Sequence, residues 1–102
     1  MRRLTLSVLL LAVSFPAEAA EVTVRIDRNA YEPARVTVKA GDTVVWLNAE
    51  KRTSHDVIFE DGERSVRLLP DDTHARTFTT PGRYPYHCDP HPEMKGEVVV
   101  EP

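Results

Sequence analysis

At 102 residues with a single cysteine, the chain has room for one small domain and for no internal disulfide. A formal charge of −3 argues against nucleic acid as a partner, and the length excludes a large enzyme with several cofactors.

Residues 1–19 read as a secretory signal peptide: Arg2 and Arg3, an apolar run from Leu4 to Phe15, then Ala17-Glu18-Ala19. The apolar run is short for a membrane span. Cleavage after Ala19 leaves residues 20–102 as the mature domain, destined for the periplasm, with 11 basic against 15 acidic residues and a charge of −4. The lone cysteine, Cys88, is then an odd thiol in an exported protein, where it oxidises or pairs between chains unless something protects it. A bound metal is one such protector.

Valine, isoleucine and threonine supply 21 of the 83 residues after the leader, and leucine stands only at positions 47, 68 and 69, a balance that favours strands over helices. Val22, Val24 and Ile26 alternate with polar residues, and Arg35-Val36-Thr37-Val38-Lys39 repeats the period of two. Ala40-Gly41-Asp42 is a turn into a strand over residues 43–48. Further strands are expected over residues 55–60, 75–79, 83–87 and 96–101, joined by loops at 48–54, 61–74 and 88–95. Residues 65–69 fit a short strand or a helical turn equally well. Trp46 and Phe78 are expected in the core, and Tyr84 and Tyr86 beside the site described next. About seven short strands punctuated by Pro and Gly give an all-β class, a small sandwich or barrel.

The chemistry concentrates in Tyr86-His87-Cys88-Asp89-Pro90-His91-Pro92-Glu93-Met94-Lys95-Gly96, a loop between two strands. Cys88, His91 and Met94 recur at three-residue intervals, so that a thiolate, an imidazole and a thioether meet in one tight turn. That donor set suits copper, which accepts all three in both oxidation states, better than zinc. A trigonal site needs a second imidazole, and His55, at the head of an apolar strand, is the natural candidate, with His74 and His87 as competitors. His87 neighbours Cys88 on a strand and so points to the opposite face, while His74 follows Asp71 and Asp72 and reads as solvated. Two histidines and a cysteine in a plane with a weak axial methionine are met by His55, Cys88, His91 and Met94. His91, between Pro90 and Pro92, is expected to be the ligand nearest solvent. The acidic runs at residues 60–63 and 71–72 read as solvated loops.

The ligand loop, together with Val38-Lys39-Ala40-Gly41-Asp42-Thr43-Val44-Val45-Trp46-Leu47-Asn48, resembles the cupredoxins, and their amicyanin branch in particular, across essentially the whole of residues 20–102. The resemblance implies a Greek-key β-sandwich of seven to eight strands that holds one type 1 copper at His55, Cys88, His91 and Met94. It also implies a periplasmic one-electron carrier serving redox proteins such as a c-type cytochrome or a periplasmic dehydrogenase, and a monomer is the default expectation. The chain departs from the family in carrying Asp56 where Asn commonly follows the first histidine ligand, and in a shorter segment between His55 and Cys88. Pro90 has no amide to donate to the Cys88 sulfur, a lever on reduction potential. The competing reading is a periplasmic copper-binding or delivery protein, which a single mature methionine, Met94, disfavours. Catalysis is not expected, since four protein ligands leave no open position.

Overall fold

The computed structural model describes residues 18–102 together with Thr5 and Ser7, so the expected leader lies almost wholly outside the described residues. The alternation of β-branched and polar residues produces eight strands and, among the described residues, no helix. They are β1 (Glu21–Asp27), β2 (Ala30–Glu32), β3 (Arg35–Lys39), β4 (Thr43–Asn48), β5 (Ile58–Phe59), β6 (Thr73–Thr77), β7 (Gly82–His87) and β8 (Lys95–Glu101). One sheet runs β2-β1-β4-β6 and the other β3-β8-β7-β5. The β1–β4 and β3–β8 pairs are parallel and the others antiparallel, so the chain changes sheets repeatedly in a Greek-key sandwich.

The period of two becomes the core directly. Val24 and Ile26 on β1, Val44 and Trp46 on β4, Val36 and Val38 on β3, and Val98 and Val100 on β8 all face inward and are buried. Trp46 stands at the centre, with Phe59 and Tyr86 edge-on to it and Phe78 tilted against it. Tyr84 packs edge-on against Phe78, on the partly buried margin of this cluster.

Four expectations are corrected. β2 was not foreseen: Arg28 and Asn29 both take positive φ, 52° and 55°, and close a two-residue hairpin in which Asp27 faces Ala30. The strand expected over residues 55–60 contracts to Ile58–Phe59, because His55 and Val57 pair with the facing loop instead of with β7. Residues 65–69 are neither strand nor helical turn; they run alongside residues 55–57 through one isolated bridge, His55–Leu68, and the hydrogen bonds between Ser65 and Val57. His74 is not solvated. It lies within β6, half-buried, its ring 6.0 Å from that of Trp46.

Candidate metal centre

The centre is built where two loops leave the same end of the sandwich. β4 ends on buried Asn48, whose amide nitrogen donates to the carbonyls of Thr53 and Leu68 at 2.9 Å each, while its side-chain oxygen accepts from the Glu50 amide. These bonds shape the loop that delivers His55 and draw residues 65–69 against it. His55 and Leu68 then exchange backbone hydrogen bonds of 3.0 and 2.7 Å, and Ser65 exchanges two more with Val57.

The second loop, residues 88–94, joins β7 to β8 across the His87–Lys95 pair. It is closed by the Cys88 amide donating to the Met94 carbonyl at 3.1 Å and the Met94 amide donating to the His91 carbonyl at 2.8 Å. Cys88 and Met94 are therefore buried at its base, while His91 at its tip is only half-buried.

These loops bring His55, Cys88 and His91 together, with one donor atom from each within 4.8 Å of the others. The Cys88 Sγ lies 3.7 Å from His55 Nδ1 and 3.9 Å from His91 Nδ1. Bonds of about 2.3 Å to sulfur and about 2.0 Å to nitrogen, spread at 120°, place sulfur and nitrogen about 3.7 Å apart, so a single ion fits among these donors. Met94 shares the loop and is 3 % exposed.

Burial disfavours the charged forms of two of the donors, His55 and Cys88. Burial pulls the His55 imidazole below the usual histidine range, opposed by Glu50, whose Oε2 lies 3.8 Å from His55 Nε2. Burial pushes the Cys88 thiol up, opposed by hydrogen bonding from the Asp56 and His91 amides. With a metal bound, the thiolate would replace the thiol.

His87 turns away from the cluster, as strand alternation requires, and its Nε2 lies 3.1 Å from Asp89 Oδ1. His74 sits beside Trp46, its cross-strand partner on β4 in the same sheet, and its buried Nε2 has no hydrogen-bond partner among the described residues. The acidic run at residues 60–63 is engaged: Arg76 pairs with Asp61 at 2.7 Å and Glu63 at 3.0 Å while its guanidinium covers Phe59, Phe78 and Tyr84.

Asp56 was noted for the residue it replaces; its partners were not legible. Its carboxylate is 2 % exposed, Oδ1 accepts the Asp89 amide at 2.8 Å, and Oδ2 lies 3.5 Å from Arg67 Nε. The Asp56 carbonyl accepts the Tyr31 hydroxyl at 2.5 Å. Asn48 was likewise read only as the end of a strand, and a polar residue at an inward position of the alternation was the available signal.

A model of the cupredoxin-like domain matches residues 3–100. Amicyanin of Paracoccus versutus is 42 % identical over 96 residues, covering 88 % of this chain and 70 % of its own. Amicyanin-alpha of Methylorubrum extorquens is 40 % identical over 91 residues, covering 83 % and 76 %, and plastocyanin of Scenedesmus fuscus is 30 % identical over 99 residues, covering 79 % and 100 %. Among solved structures, a methionine-to-alanine mutant of amicyanin in its Cu(I) form superposes with a TM-score of 0.75 at 38 % identity, covering 79 % of this chain and 82 % of the other.

Proposed function

The chain belongs to the cupredoxin family, and from that premise we propose that it is a one-electron carrier with a single type 1 copper held by His55, Cys88, His91 and Met94. The observation that carries this reading is the buried Cys88 sulfur with two imidazole Nδ1 atoms at 3.7 and 3.9 Å on loops fixed by backbone hydrogen bonds. Copper, when bound, supplies a Cu(I)/Cu(II) couple that thiolate, imidazole and thioether all tolerate.

The residues do the rest by holding still. The Asn48 bonds, the His55–Leu68 pair and the Cys88–Met94 closure fix the donors before metal binds, so little rearrangement accompanies a change of oxidation state. Burial of His55, Cys88 and Met94 keeps water and substrate-sized molecules from the metal, which favours electron transfer over catalysis. Half-buried His91 is the route by which electrons cross to the surface, through a small and partly apolar contact with a redox protein such as a c-type cytochrome or a periplasmic dehydrogenase.

Export belongs to the same proposal. Cleavage after Ala19 places the new amino terminus at Ala20, whose backbone nitrogen already lies 2.8 Å from Asp42 Oδ1 at the foot of the sandwich. The periplasm is the expected compartment and the monomer the expected state.

The test separates electron carriage from copper delivery. In mixtures of Cu(I) and Cu(II) protein, concentration-dependent broadening of the His55 and His91 proton resonances reports rapid electron exchange, while transfer of copper to a chelator stays slow. Fast loss of copper with no electron exchange would assign the protein to copper delivery instead.

A further inference from the structure

We propose that Arg67 is a positioning residue for the metal centre, holding the buried Asp56 carboxylate that ties the two ligand loops together and offsetting its charge. This deepens the reading of the site as a copper electron carrier and rests on it for the reduction potential, though not for the loop tie.

The argument begins with Asp56. It follows His55 in sequence, and its Oδ1 accepts the amide of Asp89, which follows Cys88, so a single carboxylate spans both ligand-bearing loops. A carboxylate that is 2 % exposed is costly to keep unless it is paired, and one accepted amide leaves the second oxygen to be satisfied. Among the described residues the only cation within ion-pair distance is Arg67, with Nε 3.5 Å from Oδ2.

Arg67 is placed for this task by its neighbours. Ser65 exchanges hydrogen bonds with Val57, and Leu68 exchanges two with His55, so the backbone on either side of Arg67 is stitched to the segment that carries Asp56. The Tyr31 hydroxyl fixes the Asp56 carbonyl from the other side. The Asp56 side chain is thus held at one oxygen by the Cys88 loop and at the other by an arginine that is itself half exposed at the surface. An ordinary surface ion pair contributes little because water screens both members, but here one member is inside.

Two consequences follow if the guanidinium is removed. The Asp89–Asp56 hydrogen bond loses the counter-charge that steadies its acceptor, and the loop tie opens more often. A buried negative charge beside the metal is also left uncompensated, which favours the more highly charged Cu(II) and lowers the reduction potential.

The experiment compares Arg67→Gln, Arg67→Lys, Asp56→Asn and the Asp56→Asn/Arg67→Gln double variant of the full chain. In metal-free protein, amide hydrogen exchange at Asp89 is expected to accelerate about tenfold or more in Arg67→Gln and to recover in Arg67→Lys. In copper-loaded protein, voltammetry is expected to show a lower potential for Arg67→Gln than for wild type, and a much smaller difference when the same change is made on Asp56→Asn. An unchanged Asp89 exchange rate in Arg67→Gln overturns the proposal, as does a potential shift of equal size in both backgrounds, which marks a generic surface charge. A wild-type chain that takes up no copper refutes the reading of the centre, and the exchange measurement on metal-free protein still decides the role of Arg67.

Discussion

Loading the site is expected to cost one proton, and that number can be read from the side chains. Burial pushes the Cys88 thiol up, so the metal-free protein carries its proton on sulfur at neutral pH. The same cause pulls His55 down, so its ring is already neutral and has none to give. A thiolate ligand requires the Cys88 proton to leave, and His55 adds none to it between pH 7 and 8. Apparent affinity should therefore rise about tenfold per pH unit in that window, equivalent to about 1.4 kcal/mol per unit. The assay is a chelator competition with Cu(I), which does not oxidise the thiol, at pH 7.0, 7.5 and 8.0. Calorimetry in two buffers of different ionisation enthalpy counts the proton independently. In Cys88→Ser the pH dependence should vanish along with most of the affinity. A flat profile in the wild type would show that the thiolate is preformed and would refute the claim that burial holds the proton on the Cys88 sulfur.

Other outcomes follow from the same geometry. A Cβ at Gly96 would overlap the Tyr86 ring across the β7–β8 pair, so Gly96→Ala should destabilise the domain by about 1–3 kcal/mol in thermal or urea unfolding. A change under about 0.5 kcal/mol would contradict the packing described. His91→Gly should leave copper bound but open to exogenous imidazole, which restores the visible spectrum; a site indifferent to imidazole would remove His91 from the ligand set. Burial also holds His74 below the usual histidine range, with Glu63 opposing and Arg76 adding to the shift. The unfolded chain then takes up the proton first as pH falls below about 6.5, so metal-free protein loses stability toward pH 5. His74→Phe should flatten part of that slope, the remainder belonging to His55. An unaltered slope would place the pH dependence elsewhere.

How much of this was legible in the sequence depended on whether the signal was local. The alternation in residues 22–26, 35–39 and 43–48 matched the burial of β1, β3 and β4, because one face of each strand packs on the facing sheet. The meeting of Cys88 and His91 was legible because one loop holds both, and that of His55 because only one histidine headed an apolar stretch. β2 escaped notice since Arg28-Asn29 lacks the glycine that usually marks a two-residue hairpin. His74 was misread from its acidic neighbours in sequence, whereas the period of two along β6 turns it inward beside Arg76. The Asp56–Arg67 pair joins residues 11 apart across an irregular segment, and no periodicity carries such a contact.

The central claim is that Cys88, His55, His91 and Met94 form one copper site that changes oxidation state. The most direct test is the visible absorption spectrum of the chain of residues 20–102 after Cu(II) addition, with Cys88→Ser as control. An intense blue thiolate-to-copper band, bleached by ascorbate and absent from the control, is the predicted result. A colourless protein, or a thiol simply oxidised by the added copper, would contradict it.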